Sequence, residues 1–330
     1  MLRTDMVMVK ERHDNPPGDV PAKKRWIRCN ACGADAFRPL CTVNGWQIGR
    51  CGNCSLIYLN PMPFFEPSAG FSKMSLDFQY TRFQHHITPA VLEHDRKQLR
   101  RQLEKVSRLA GIDQPGKFLD IGCGSGSSVR AAADQDWEAT GVDIDPELVA
   151  LGRGQLDADL RCSPVLESGL EASRFHFVRL RDVIEHLPNP YEVLCEVKRL
   201  LVPGGVVLIA TPNEGALATQ LRLLLGGKRK LIATVAPPHH VHGFTPKTLA
   251  LTLERAGLEL CEMKTTTPVD PDYVTARNME SASRRVLVLS WRLAAVAGRG
   301  SMLVAWARKP SAPRPGSRRA EVREECSVAG

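Results

Sequence analysis

No stretch of about 20 consecutive apolar residues, the length a membrane-spanning helix needs, occurs in this sequence of 330 residues. The most apolar late segment, residues 286–307, is broken by Arg292, Gly298, Arg299 and Gly300, and it reads as a packed helix followed by a strand. The opening residues mix charges and hold no apolar run of signal-peptide length, so a cytoplasmic location is the expectation. Internal repeats are also absent, which excludes solenoids and propellers. A hydrophobic fraction of 43% against 24% charged residues is enough for a normal core, so the fold has no need of disulfides. In a reducing compartment the ten cysteines are then thiols or metal ligands.

The net charge of +8 gathers in three places: Lys23 to Arg25, Arg96 to Arg108, and Lys228 to Lys230. Such clusters are mostly solvated surface, although phosphate, nucleic acid or an anionic membrane face would also attract them. Five segments follow from composition. Residues 1–25 and 311–330 are polar tails expected to be disordered, 26–60 form a small cysteine module, and 61–94 are a linker rich in turn residues. Within 95–310, strands and helices alternate. Strands are expected over 117–121, 139–142, 175–180, 205–210, 258–264 and 302–307, and helices over 90–110, 127–134, 146–154, 191–200 and 245–256. That alternation predicts an α/β fold with a mainly parallel sheet covered by helices on both faces.

The sharpest motif runs from Phe118 to Gly126, where a strand passes through Gly122, Gly124 and Gly126 into a helix. Glycines there allow a tight turn and close approach of a ligand. Asp120 precedes the loop, where a carboxylate repels pyrophosphate and attracts an ammonium group. Asp143 closes the next strand, where a carboxylate accepts ribose hydroxyls. A ligand with a ribose, an amino group and no phosphate fits this pair better than a dinucleotide does.

Four ordered stretches, LDIGCGSG, GVDID, RDVIEHLPNP and LLVPGGVVLIATPN, resemble the class I S-adenosylmethionine (SAM)-dependent methyltransferases. The resemblance covers roughly 95–310 and implies a Rossmann-like sheet of seven strands. It implies that Gly122, Gly124 and Gly126 lie under the methionine part of SAM, that Asp120 helps hold its amino end and that Asp143 with Ile144 meets the ribose. Val165 and Leu166 would flank the adenine. Two departures stand out: His176 replaces an aspartate common in the family, and residues 163–167 offer no clear acidic anchor.

Cys29, Cys32, Cys51 and Cys54 form C-x2-C-x18-C-x2-C, a spacing that closes a tetrahedral zinc site with four protein ligands. With no open position such a site is structural, and Cys41 between the knuckles is a spectator. The segment resembles the zinc-knuckle module ahead of certain bacterial methyltransferases, sugar C-methyltransferases among them, where it sits beside the acceptor cleft.

Methyl transfer to a hydroxyl or carbon acid requires alignment and removal of a proton. Glu185 and His186 follow a strand that should end at the cofactor, and resemblance to ubiquinone-type O-methyltransferases turns them toward the cleft. His186 is the candidate base, Glu185 its orienting partner, and the pair could alternatively hold a divalent metal. A second cluster, His239, His240 and His242, resembles a loop closing the acceptor pocket. If extended, His240 and His242 share one face as acceptor contacts or bases. Asn213 could donate to an acceptor oxygen. Planar-amine methylation is disfavoured, because the fourth strand ends in Arg-Asp-Val-Ile-Glu-His and not in an Asn-Pro-Pro-Tyr type of motif.

The expected function is therefore methylation of a small-molecule acceptor, such as a sugar, glycan or hydroxylated metabolite, at oxygen or carbon. One rival is an RNA methyltransferase using the zinc module as its RNA arm, disfavoured because the module offers chiefly Trp46 and Tyr58 for base stacking. The other is a non-catalytic SAM sensor. Oligomeric state is left open.

Overall fold

The computed structural model describes residues 23–43, 45–64, 87–217, 235, 237, 239–266 and 293–311. Most of the two expected tails, the middle of the expected linker and the Lys228 to Lys230 cluster lie outside the described residues.

The first unit holds five short strands: β1 (Lys23–Arg25), β2 (Phe37–Val43), β3 (Trp46–Cys51), β4 (Ile57–Leu59) and β5 (Met62–Phe64). Strand β1 pairs with β5, so this unit runs from 23 to 64 and draws in the end of the expected tail and the start of the expected linker. After α1 (Pro89–Ala110) come β6 (Lys117–Ile121), α2 (Ser127–Ala133), β7 (Glu138–Asp143), α3 (Pro146–Leu156) and β8 (Leu160–Cys162). Then follow β9 (Phe175–Arg181), α4 (Pro190–Leu200), β10 (Leu201–Pro212), β11 (His242–Gly243), α5 (Pro246–Arg255), β12 (Glu259–Thr266) and β13 (Met302–Arg308).

Seven strands form the main sheet in the order β12-β13-β10-β9-β6-β7-β8. The neighbours β10-β9, β9-β6, β6-β7 and β7-β8 are parallel, while β13 runs antiparallel between β12 and β10. The expected Rossmann-like architecture is thus present, with β8 added; at three residues it is too short for periodicity to reveal. Helix starts have local causes. Pro146 opens α3 behind Asp145, whose side chain accepts from the N–H groups of Glu147 and Leu148. Pro246 opens α5 behind a Thr245–Thr248 capping box.

One face of the sheet packs Leu119, Val178, Leu180 and Val207 against Val193, Leu194 and Val197 of α4. That core continues without a break into Ile48, Leu56, Tyr58 and Leu59 of the cysteine unit. The other face packs Phe118, Phe177 and Trp306 under Leu99, Leu103 and Val106 of α1. No described helix is long and apolar enough to cross a membrane.

Among the described residues, one ion pair is buried within the sheet. Arg179 of β9 donates from Nε to Asp120 Oδ1 at 2.9 Å and from a terminal nitrogen to Oδ2 at 2.7 Å. Ser128 Oγ donates to Oδ2 as well. The side chains are 11% and 2% exposed, so neither charge has water as a substitute partner. His176, at the position of the missing aspartate, accepts the Lys117 N–H through Nδ1 at 3.0 Å and so steadies the entry to β6. Replacing Arg179 with Met strands a buried carboxylate. Urea unfolding should register a loss of about 3–5 kcal/mol, and Asp120→Leu added to Arg179→Met should recover much of it.

Candidate active site

In an open, mainly parallel sheet the ligand crevice lies beyond the carboxyl ends of the strands where the order reverses. Here that point falls between β6 and β9, which turn in opposite directions along the sheet. The loop after β6 is 122–126 and the loop after β9 is 182–186, so both motifs singled out in the sequence border one crevice.

Gly122, Gly124 and Gly126 all have positive φ, at 71°, 54° and 77°. They differ in what a side chain would meet. A Cβ on Gly122 would lie 2.3 Å from Val183 Cγ2, and one on Gly126 would lie 2.7 Å from Leu160 Cδ2. At Gly124 the nearest atom is Leu148 Cδ1, at 3.9 Å. Two glycines are therefore required by the protein's own packing, while Gly124 borders open space that a ligand can fill. Asp143 shapes that space. Its Oδ2 accepts the Gly124 N–H at 2.7 Å and its Oδ1 accepts the Asp145 N–H at 2.9 Å. Burial raises its pKa while those two N–H groups pull the other way. Each oxygen keeps one lone pair, enough to receive a pair of vicinal hydroxyls.

Beside it, Ile144 and Leu166 are apolar yet 49% and 48% exposed, on segments joined by the Ser163 N–H to the Asp143 carbonyl. Val165 is instead buried in the core. Leu166 is thus the residue of that pair left to cover a flat ring. Asp120 does not face the crevice as an anion. It is 1% exposed and its charge is matched by Arg179, which removes the electrostatic reason for assigning it to an ammonium group. Asn213 is similarly committed, donating to the Gly300 carbonyl and accepting the Gly215 N–H.

The other side of the crevice carries Glu185, His186 and His240. The Glu185 side chain is buried. Thr211 Oγ1 donates to its Oε2 at 2.9 Å, while Oε1 has no hydrogen-bond partner. Burial carries its pKa up to about 8. His186 Nδ1 lies 2.9 Å from the His239 carbonyl. A carbonyl only accepts, so the proton sits on Nδ1 and Nε2 keeps its lone pair. Burial and the neighbouring His240 bring the His186 pKa down to about 4, so the ring is neutral at ordinary pH. The His186 and His240 rings meet edge to face at 4.6 Å.

His242 does not join them. Only 242–243 are extended, so the alternation expected to align His240 with His242 never develops. His242 is 1% exposed, with its ring between Tyr58 and Phe244, and Asn30 Nδ2 donates to its Nε2 at 3.3 Å. Burial takes its pKa down to about 3. Its role is packing: β11 pairs with β4, so the histidine loop supplies the last strand of the cysteine unit's four-stranded sheet. Arg255, which sequence reasoning passed over, fastens the same junction. It donates to the Asn30 carbonyl at 3.0 Å and lies 3.7 Å over the Tyr191 ring.

The four thiols converge as their spacing implied. Cys29 and Cys54 Sγ are 3.5 Å apart, Cys32 and Cys51 Sγ 3.6 Å, and all four lie within 4.8 Å of one another. A disulfide would bring two sulfurs to about 2.05 Å. Sulfurs at about 2.3 Å from a tetrahedral zinc ion stand roughly 3.8 Å apart, so the cluster fits such an ion. Cys41 stands apart from it.

A model of the methyltransferase domain matches residues 91–263, just over half of the chain. The chain belongs to that family. A ubiquinone biosynthesis O-methyltransferase of Bordetella avium is 29% identical over 170 residues, 49% of this chain and 70% of that protein. One from Xanthomonas axonopodis pv. citri is 32% identical over 169 residues, 48% and 69%. Among solved structures, a SAM-dependent methyltransferase from Archaeoglobus fulgidus aligns at 18% identity and a TM-score of 0.46, covering 66% of this chain and 94% of that one. This chain is accordingly a SAM-dependent methyltransferase, and the open cradle at Gly124 and the two free lone pairs of Asp143 fit that cofactor.

The glycines of this methyltransferase give a direct contrast. Gly122→Ala should lower thermal stability through the Val183 clash. Gly124→Ala, which meets no clash but places a Cβ on a left-handed backbone (φ 54°), should cost less stability than Gly122→Ala and weaken SAM at least ~tenfold, which is about 1.4 kcal/mol. In calorimetric titration, Asp143→Ala should weaken SAM by about 10- to 100-fold, the worth of lost hydrogen bonds to a charged acceptor.

Proposed function

We propose that the enzyme methylates an oxygen or carbon of a hydroxylated small molecule, and that the acceptor's proton leaves at the Glu185–His186–His240 cluster. The observation that carries this reading is the His186 tautomer: its Nδ1 proton is committed to the His239 carbonyl and Nε2 is a neutral acceptor at the crevice. SAM supplies a methyl group already activated on a sulfonium. What the chain adds is alignment along the crevice and, in the ion-free protein, a lone pair on His186 to take the proton. The relatives' names speak of O-methylation, which favours oxygen.

Burial of Tyr58 supports a small acceptor over RNA, since it removes one of the two aromatic residues expected to stack bases. The other, Trp46, has the Lys24 ammonium 4.4 Å from its ring centroid. Trp26, exposed on β1's flank, is an aromatic that the sequence reading did not weigh. In the same proposal, Cys29, Cys32, Cys51 and Cys54 hold one structural zinc ion, and that unit forms a wall of the acceptor side through β11 and Arg255.

The deciding experiment incubates the full chain with methyl-tritiated SAM and a fractionated host extract. Label in small molecules or glycans, insensitive to ribonuclease, is expected; label that ribonuclease removes would overturn the small-molecule reading. His186→Ala should bind SAM normally and lose turnover by about 10²–10⁴-fold. With the His186 pKa near 4, the acid limb of kcat/KM should fall below about pH 5 and not near 6.5, because the base is lost only as pH drops through its own pKa. Cys51→Ser should release about one zinc per chain by elemental analysis and lower the melting temperature; unchanged metal content would remove the zinc assignment.

A further inference from the structure

Asn30 sits inside the turn from Cys29 to Cys32 and is 9% exposed. The Gly33 N–H donates to the Cys29 carbonyl at 2.8 Å, and the Cys29 N–H to the Ala34 carbonyl at 3.0 Å. From the other side Arg255, the last residue of α5, donates to the carbonyls of Cys29 at 3.4 Å and Asn30 at 3.0 Å. The backbone of Asn30 is thus held by its own knuckle and by the main domain together.

Its side chain reaches out of the cysteine unit. Nδ2 lies 3.3 Å from the Pro188 carbonyl oxygen and 3.3 Å from His242 Nε2. A carbonyl only accepts, so the amide turns its nitrogen, and not its oxygen, to these two groups. One hydrogen goes to each. His242 Nε2 is then an acceptor, and the proton of that ring sits on Nδ1. The two partners belong to the two loops of the acceptor side. Pro188 lies two residues beyond His186, and His242 lies three beyond His239, whose carbonyl accepts the His186 Nδ1 proton. One amide therefore bridges the chain on either side of the His186–His239 contact.

We infer that Asn30 is a positioning residue for methyl transfer: it carries the rigidity of the metal-filled cysteine knuckle to the two loops around His186. The tie keeps the Nδ1 proton on the His239 carbonyl and Nε2 open to the acceptor. This inference rests on the reading of His186 as the base. A zinc ion on the four thiolates would fix the turn from Cys29 to Cys32, and with it the seat of Asn30, without touching either reactant. Without the amide, the buried Pro188 and His242 acceptors lose this donor. The two loops then rest on the Glu185 carbonyl fork and the His186–His239 hydrogen bond, with nothing from Asn30 to hold their spacing. The cofactor side stays as it was, because Gly124 and Asp143 belong to other segments.

The test uses the full chain with zinc on its thiolates and nitrogen-15 in its histidine rings. Nuclear magnetic resonance at neutral pH then tells an Nδ1–H ring from an Nε2–H ring. His186 and His242 should each read as a single Nδ1–H tautomer. Asn30→Ala should turn both into mixtures and slow methyl transfer to the labelled acceptor by about 10- to 100-fold, the scale of a misplaced reacting group. Zinc content and SAM affinity should hold; loss of either would make Asn30 a structural residue and overturn the inference. Unchanged ring signals would overturn it as well, and altered rings with unchanged turnover would remove the role in methyl transfer. His242→Phe keeps a ring between Tyr58 and Phe244 but takes away the amide's acceptor. It should disturb His186 in the same way, and the double variant should be no slower than the slower single one. A double variant slowed by the product of the two factors would overturn the shared path. Stripping the metal with a chelator should shift the same ring signals while SAM still binds; unchanged rings would take the metal out of that path. Ring signals as expected, with no label in any hydroxylated small molecule, would support the tie and count against the function it rests on.

Discussion

A single backbone carbonyl, that of Glu185, accepts N–H groups from both Val241 and His242 and thereby joins two loops that the sequence keeps far apart. The arrangement of Glu185, His186 and His240 follows from this fork. It sets His239 where its carbonyl fixes the His186 tautomer, brings the His240 ring to the edge of His186, and starts β11 in register with β4. The cysteine unit is therefore more than an appendage. Its sheet is completed by the loop that lines the crevice, and its core is continuous with that of the main sheet. Its first cysteine knuckle is fastened by Arg255, which donates to the Asn30 carbonyl while lying over the Tyr191 ring.

The cofactor side rests on a different device. Asp143 holds the glycine loop by one oxygen and the segment leading into α3 by the other, so a carboxylate with lone pairs left for a ligand also shapes the loop around it. Below it, Asp120 and Arg179 neutralise each other across β6 and β9. An aspartate directly before a glycine loop looks from sequence like a ligand for positive charge. Here the positive charge comes from the neighbouring strand.

The cofactor half was readable because its signals are local. A strand, three glycines and a second strand ending in aspartate lie within 118–143, and the thiol spacing defines a cluster without long-range information. What escaped depended on pairing across distance. Asp120 and Arg179 are 59 residues apart, and only an arginine inside the apolar strand Phe175–Arg181 hinted at a buried partner. His242 was misplaced because alternation was extended through a segment whose strand is two residues long. Strands β1 and β5 went unseen because each has three residues and gains its structure only from the other.

The pairing of Asn30 with His242 spans 212 residues. Closing a loop of that size must precede any reward from the contacts it makes, so such contacts form late. During synthesis the thiol cluster can assemble as soon as its own segment has emerged, but its sheet lacks an edge strand until the histidine loop arrives. The nucleotide-binding half can fold in between. The histidine-loop wall of the crevice therefore takes shape only once residue 242 has emerged, and the main sheet itself is complete only when β12 and β13 follow.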